Sequence, residues 1–345
     1  MKELLYLAEV DINLQLFANT PNTNITTDSG LSVEMKTFYD MTLIDEASAQ
    51  LVHDQFGQKR PIPANAGKTI EFRKFANLPK ATTALTEGVP PDGKKLTVTS
   101  LTATVSQYGD YIVQSDVLEL TALDNTILEA TKILGKQAGL TLDTIVRNVL
   151  IAGTNVNYCP SVAADGTETA VASRKNLTAT SKLTVKEIQK AVAKLRANNT
   201  PTINGDYVAI IHPYVAYDLM RDPEWIEAHK YAQPENLYTG EIGKVAGVRF
   251  VQTSEAAILK DDTCPSGLAV FCTLILGENA YGVTEITGGG LETIVKQKGS
   301  AGTADPLSQR SSVGWKAIKT AERLVENYMI RIESCSEFSS AASAN

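Results

Sequence analysis

The sequence predicts an α+β protein, and three observations support this fold class. Two strand-like segments, 69–75 and 96–105, are separated by a connection rich in proline and glycine. An amphipathic segment over 126–153 then predicts one unusually long helix. In the second half, strand and helix patterns alternate before a closing stretch rich in β-branched and aromatic residues.

The first forty residues contain little that could form a core. Residues 1–17 are partly apolar, but three acidic side chains interrupt them, so they match neither a signal peptide nor a membrane span. Residues 19–30 are mostly small and polar, which predicts an arm that becomes ordered only against a partner; a frayed terminus is the alternative. Residues 1–40 contain six acidic and two basic side chains.

The connection between the first two strands predicts a projecting loop. Residues 69–75 and 96–105 have the composition and alternation of strands, and the twenty residues between them are too many for a tight turn. Residues 67–95 contain six basic and three acidic side chains, a net charge of +3 in a chain of net charge −7. A solvated, mobile hairpin whose charges contact only water is the alternative.

A long helix is predicted next. Thr126 and Glu129 have the spacing of a capping box, and apolar residues recur at helical spacing up to Gly153. Such a helix would be roughly 40 Å long. Gly135 and Gly139 predict a bend or a close backbone contact within it. An ordinary core helix would have the same pattern.

The second half of the chain predicts a small α/β region. Thr184 and Glu187 repeat the capping pattern at the start of another helix. A strand over 207–212 and a helix beginning at Pro213 follow. A glycine-rich turn then precedes a strand at 248–251.

The closing segment predicts further strands. Residues 313–332 are rich in Val, Ile, Trp and Tyr and contain neither proline nor a glycine after Gly314, so they can pair along their length. Residues 324–332 alternate near their end, as a half-buried strand does. From the residues alone, these are the last strands of an α+β domain.

No catalytic, metal or cofactor site is predicted. The chain has no GxSxG or HExxH motif, and Gly67-Lys68-Thr69 is not a phosphate-binding loop because Ile62 occupies the position of its first glycine. His212 is expected to be structural. The four cysteines lack paired spacing, which predicts reduced thiols. The net charge of −7 argues against a protein that grips nucleic acid.

A resemblance to a known family rests mainly on the closing segment. Residues 305–316 read DPLSQRSSVGWK, and together with 328–332 they resemble the end of tailed-phage major capsid proteins in the family typified by phage N-four. Residues 1–17 and 212–253 also carry the resemblance, which covers 1–334. It implies the Hong Kong ninety-seven phage type of fold, with an N-terminal arm, an extended β-hairpin loop, a peripheral domain (long spine helix plus long β-sheet) and an α/β axial domain.

The resemblance also implies a division of the chain. The expected units are an N-terminal arm at 1–32, an arm-to-loop helical connector at 33–66, the extended loop at 67–110, the peripheral domain with its spine helix at 111–182, the axial domain at 183–290, return strands of the peripheral domain at 291–335 and a C-terminal tail at 336–345.

The implied function is that of a major capsid protein. Pentamers and hexamers of the chain would assemble into an icosahedral shell around phage double-stranded DNA, without sequence-specific DNA binding, a cofactor, a membrane or enzyme activity. The virion, and the host cytoplasm during assembly, are the expected locations. Portal, scaffolding and decoration proteins are the further partners that the resemblance would allow. The alternatives are an encapsulin nanocompartment, a soluble α/β enzyme and a phage tail or decoration protein.

A specific inter-subunit contact is expected at the extended loop. The resemblance places this loop across the adjacent subunit, and its basic character contrasts with the acidic first forty residues. We therefore expect Lys80, Glu87, Lys94 and Lys95 to contact a neighbouring copy, where they would set register and partner choice. No covalent crosslink between subunits is predicted.

Overall fold

The computed structural model describes residues 41–47, 50–63, 65, 67–75, 78–85, 87–88, 92–121, 126–163, 165–232, 243–285, 289–300 and 305–345. The predicted arm at 1–32 and the start of the connector lie outside these residues. Helices and strands alternate irregularly along the described chain and form two main sheets.

The described helices are α1 (41–47), α2 (Asp116–Thr121), α3 (Thr126–Ile151), α4 (Val185–Ala197), α5 (Pro213–Met220) and α6 (Pro223–Ala232). The strands are β1 (Gln58–Lys59), β2 (Thr69–Phe75), β3 (Val98–Thr104), β4 (Ser106–Ser115), β5 (Val156–Tyr158), β6 (Ser161–Val162), β7 (Glu168–Thr169), β8 (Tyr207–Ile211), β9 (Lys244–Val245), β10 (Val248–Gln252), β11 (Ile258–Leu259), β12 (Val270–Leu276), β13 (Tyr281–Glu285), β14 (Glu292–Lys296), β15 (Arg310–Arg323) and β16 (Met329–Ser334).

The first sheet is built around β15. β4 pairs with it over 310–319, while β14 and β13 pair with it over 312–316 and 319–323. All three pairings are antiparallel, and β1 adds a short parallel strand beside β13. Val313, Trp315 and Ala317 alternate along β15 and pack against α3, as the period of a strand requires.

The second sheet has the order β5-β16-β12-β8-β10-β9, and β11 pairs with one end of β12. Every residue of β8, β12 and β16 is buried. Side chains of α4, α5 and α6 pack against this sheet in the largest apolar cluster of the described chain. Burial on both faces explains why β8 and β12 read as nearly continuous apolar runs.

The long helix α3 connects the two sheets. Its first half packs on β15 through Leu134, Ala138 and Leu142. Near its end, Val146 and Leu150 join a cluster that includes residues of both sheets. The predicted long helix is therefore present, and its 26 residues form a shared support for the whole body.

The two glycines of α3 allow a close approach by α1. A Cβ atom at Gly135 would lie 2.9 Å from the backbone oxygen of Leu43, and one at Gly139 would meet the backbone oxygen of Ala47. Of the two predicted alternatives, a close backbone contact is therefore present at both positions. Lys136 and Glu46 add an ion pair beside it, at 3.9 Å.

The predicted capping boxes differ from the observed contacts. At α4, the Thr184 side chain makes no capping hydrogen bond; Asp222 instead accepts from the backbone N–H of Val185 at 2.8 Å. At α3, the Thr126 hydroxyl donates to Gln114 of β4 at 3.1 Å. Tertiary partners have replaced the local ones, because a helix start that lies against the body can use acceptors from other elements.

The closing segment is divided between the sheets. β15 and β16 are separated by a 3₁₀ turn at Glu326–Tyr328, and β16 pairs with β12 and β5 in the second sheet. The prediction of further strands in 313–332 is therefore confirmed, but pairing is interrupted at the turn and the two strands lie in different sheets. The expectation of a half-buried strand is wrong, since all six residues of β16 are buried.

The predicted helical connector and the predicted C-terminal tail also differ from the observed structure. Within the predicted helical connector at 33–66, only 41–47 is helical among the described residues, and 50–63 forms turns, β1 and an isolated bridge. Residues 336–345, expected as a tail, pack on the body. The Asn345 side chain accepts from Ile258 N–H at 2.9 Å, and Ala342 lies in the core of the second sheet.

Candidate inter-subunit surfaces

The predicted extended loop is a long hairpin made by β2 and β3. The two strands pair in antiparallel register from Thr69 opposite Thr104 to Phe75 opposite Val98. The predicted strand positions are confirmed to within two residues. Residues 106–110, which were expected to belong to the loop, instead begin β4 and pair with β15.

The base of this hairpin is packed on the first sheet. Phe72 and Ala103 are buried, and the Phe72 ring lies over Gly282 of β13, where a Cβ atom would come within 2.7 Å of it. The guanidinium of Arg60 lies 5.9 Å from the centre of the same ring. These contacts determine the direction in which the hairpin leaves the body.

The outer part of the hairpin is exposed throughout. Every described residue from 78 to 100 is exposed, although the segment is longer than most strands of the body. We define the hairpin tip as residues 78–97. Within the described part of the chain, nothing covers this tip.

The four predicted contact residues lie on the hairpin tip. Lys80, Glu87, Lys94 and Lys95 are all exposed, and none of them forms an ion pair with another described residue. They are therefore free to meet a separate molecule. The acidic residues 1–40, which were expected to face them from a neighbouring copy, lie outside the described residues.

Sequence reasoning missed the apolar side chains of the tip. Leu78, Leu85 and Leu96 are 55%, 74% and 56% exposed. Leucines on a projecting segment that has no core of its own are a typical mark of a surface covered by a partner. Their presence in a proline- and glycine-rich loop was the available signal, but charge rather than apolar content guided the prediction.

A groove lies on the face of the first sheet opposite α3. It has a volume of about 440 Å³, and its lining includes Tyr111, Ile294, Lys296 and Gly314. Tyr111 is 68% exposed and lies directly opposite Gly314, where a Cβ atom would come within 2.7 Å of the Tyr111 Cβ. The absence of a side chain at Gly314 makes room for the Tyr111 side chain, and the groove can accept an extended segment.

Two buried polar clusters hold the body together. Asp143 of α3 accepts from the backbone N–H groups of Val52 and His53, and its other oxygen lies 2.6 Å from His53 Nδ1. Glu333 of β16 forms a bidentate pair with Arg174, both contacts at 2.7 Å, and also meets Arg331 at 2.9 Å. The pairing with Glu333 raises the pKa of Arg174.

The remaining titratable candidates have structural roles. His212 follows β8 and caps the start of α5, where its Nδ1 accepts from Tyr214 N–H at 3.1 Å. Burial lowers the pKa of this imidazole. The four cysteines are buried as free thiols. Among the described residues, no cluster of three or more His, Cys, Asp or Glu could hold a metal ion. No described helix is long and apolar enough to cross a membrane.

A family model described as phage capsid protein matches residues 97–321. The chain belongs to the phage capsid protein family. Among curated proteins, none matches its sequence.

Solved capsid structures share the fold of this capsid protein. The capsid of cyanophage P-SCSP1u has 15% sequence identity and a TM-score of 0.62, covering 82% of this chain and 87% of that chain. The capsid of Ralstonia phage GP4 has 14% identity and a TM-score of 0.62, covering 83% of this chain and 88% of that chain. The capsid of cyanophage Pam1 has 12% identity and a TM-score of 0.63, covering 84% of this chain and 92% of that chain.

These matches confirm the predicted fold. The capsid protein has the α+β fold of the Hong Kong ninety-seven phage type, as the closing segment led us to expect. At these identities, the likeness shows the fold.

Proposed function

We propose that this capsid protein is a major capsid protein that self-assembles as pentamers and hexamers into an icosahedral shell around phage double-stranded DNA. The observation that carries the proposal is the hairpin tip, which is exposed along its whole described length. In a monomer, this tip orders a long segment without burying apolar surface. Contact with a neighbouring copy would supply the missing burial.

The apolar side chains of the tip support contact between copies. Burying a leucine side chain contributes about 1.5–3 kcal/mol relative to exposure. Leu78, Leu85 and Leu96 could therefore each contribute to contact with a partner surface that accepts them. The groove beside Tyr111 and Ile294 is a partly apolar surface of the same chain that is open to solvent.

The charges of the tip would decide which neighbour it meets. Lys80, Lys94 and Lys95 give the tip a basic character, and Glu87 interrupts it. Exposed charges add little affinity but discriminate strongly against a wrong register. We propose that these four side chains face an acidic surface of the adjacent copy, with residues 1–40 as the first candidate.

The overall charge supports a container for DNA. A wall of net charge −7 repels the phosphate backbone, so packaged DNA would be enclosed without tight or sequence-specific binding. Assembly would take place in the host cytoplasm, with portal, scaffolding and decoration proteins as the further partners. An enzymatic role has no support in the described residues.

The first experiment is negative-stain electron microscopy of the purified chain, together with analytical sedimentation. We expect closed shells or rings of five and six copies. A variant in which residues 78–97 are replaced by a short Gly-Ser linker should keep its folded body but lose the shells. A compact monomer at every concentration, for the unmodified chain, would contradict autonomous assembly.

A matched charge test examines the electrostatic part of the proposal. Reversing Lys94 and Lys95 to Glu should weaken assembly, and the defect should shrink as the salt concentration rises. The control reverses two exposed lysines of the body, Lys175 and Lys194, with the same change in net charge. Equal behaviour of the two variants would remove the claim that the tip charges select the neighbour.

A further inference from the structure

Helix α2 is a short helix with an apolar surface that the described chain does not cover. None of its six residues is buried, and Val117, Leu118 and Leu120 are 63%, 47% and 80% exposed. A helix of this length is unstable in water without tertiary contacts. Its two carboxylates, Asp116 and Glu119, make the same surface acidic.

A cavity of complementary character lies at the base of the hairpin. It has a volume of about 210 Å³ and is lined by Gln58, Arg60, Phe72, Arg73, Leu101, Asn279, Leu324 and Val325. Four of these side chains are apolar and two are cationic, and no carboxylate belongs to the lining. An apolar cavity of about 150 Å³ can accept benzene, so this one has room for a branched aliphatic side chain.

The cavity has a rigid wall. Phe72 is buried against Gly282, and Arg60 lies over the ring of Phe72. Arg73 is largely exposed, and its single described ion pair is with Glu71 at 3.3 Å. An exposed pair of this kind contributes little, so Arg73 can exchange it for a partner's carboxylate at low cost.

The helix and the cavity lie at opposite ends of the first sheet. α2 follows directly after Ser115, which pairs with Arg310 at the beginning of β15, whereas Leu324 and Val325 follow the end of β15. β15 has 14 residues, which corresponds to about 40 Å at the rise of a strand. The helix of one copy therefore cannot reach the cavity of the same copy.

We propose that α2 of one copy docks into the hairpin-base cavity of a second copy. Leu120 enters the cavity, and Asp116, one helical turn earlier on the same face, faces Arg60 and Arg73. Glu119 remains with its own Lys298, at 3.0 Å. This contact rests on the proposed self-assembly. Because the two surfaces differ, the contact is head-to-tail, and each copy can bind two neighbours.

Disulfide trapping tests the contact directly. A variant with Leu120→Cys and Leu101→Cys is assembled and then oxidised, and the products are separated on a non-reducing gel. The native thiols contribute little background because all four are buried. We expect a ladder of dimers, trimers and higher species, since a head-to-tail contact links each copy to two others. Each single variant should give no ladder.

The outcomes separate this contact from the proposed function. Shells that form without any ladder would overturn the contact and leave self-assembly intact. Dimers without higher species would overturn its head-to-tail geometry. A chain that stays monomeric at every concentration would contradict both proposals.

A charge exchange provides a second, independent test. Asp116→Arg and Arg60→Glu should each raise the concentration needed for assembly by roughly tenfold, and the double variant should recover most of that loss. Circular dichroism of each variant checks that the body is folded. Additive losses in the double variant would contradict a direct contact between these side chains.

Discussion

The second sheet and the hairpin are both made of paired strands, yet their surroundings are opposite. Every residue of β8, β12 and β16 is buried, whereas every described residue from 78 to 100 is exposed. The sheet obtains its apolar contacts within one chain. The hairpin exposes leucines that its own chain does not cover.

This difference indicates that the body determines folding, whereas the hairpin tip determines association between copies. Substitutions in the body should change the free energy of unfolding, and substitutions at the hairpin tip should change association between copies. Phe72 lies where the hairpin meets the body, so its side chain supports both regions. Paired variants, one in each region, can therefore test whether this separation of folding from association is real.

The largest expected effect is the loss of Glu333. Glu333→Ala leaves Arg174 and Arg331 next to each other without their shared carboxylate, and breaking a buried pair costs about 3–5 kcal/mol. Chemical denaturation measures this loss in the free energy of unfolding. Glu71→Ala is the matched control, because it breaks an exposed Glu–Arg pair on the hairpin and should cost at most about 1 kcal/mol. Similar losses in the two variants would contradict the separation.

The next effect is expected where the hairpin meets the body. Phe72→Ala removes a buried ring and should cost about 3 kcal/mol. Hydrogen exchange should then become faster in β2 and β3 and stay unchanged in β8 and β12. Leu85→Ala, at the tip, should leave stability within about 0.5 kcal/mol of the unmodified chain while weakening assembly. If both variants assemble normally, the hairpin does not contribute to the interface.

A smaller effect is expected from glycine substitutions. In Gly139→Ala, the added methyl group meets the backbone of Ala47, and the overpacking should exceed the gain in helix propensity, for a net loss of about 1–2 kcal/mol. The control, Gly93→Ala on the hairpin tip, has open space around the new methyl group. Thermal unfolding should show a lower Tm for the first variant only. An unchanged Tm for Gly139→Ala would mean that α1 can move away without loss.

The smallest effect near neutral pH concerns the buried thiols. Burial raises the pKa of Cys272 from 9.0 to about 12 and that of Cys335 to about 11. The unfolded chain therefore loses these protons first, so this contribution to stability is complete below about pH 9 and is lost as the pH rises towards 12.

Thiol labelling at pH 8 checks the same contrast between the regions. The folded body should react very slowly, because its buried thiols stay protonated, whereas a thiol introduced by Leu85→Cys at the tip should react at once. Rapid labelling of Cys272 in the folded chain would show that the second sheet opens more easily than its burial implies.

The strand and helix patterns predicted much of the fold. The positions of β2, β3, α3, β8 and α5 follow from local periodicity, since each has a run of residues long enough to show its own period. The helix starts were predicted less well, because Asp222 and Gln114 come from distant parts of the chain. The four charged residues at the hairpin tip were expected to contact a neighbouring copy; they are exposed, and the contact itself stays a prediction. The cavity at the hairpin base could not be predicted, since its lining comes from five separate segments.

By itself, the sequence determined the class of fold, the long helix, the projecting hairpin and the family. These features follow from local periodicity, from composition and from the closing segment at 305–316, so they can be predicted without knowing which distant residues are in contact. Only the tertiary structure decided that β15 and β16 lie in different sheets and that Gly135 and Gly139 admit α1. The physical reason is that strand pairing and close packing join residues far apart in the chain, and alternation within one segment cannot reveal which distant segment will cover it.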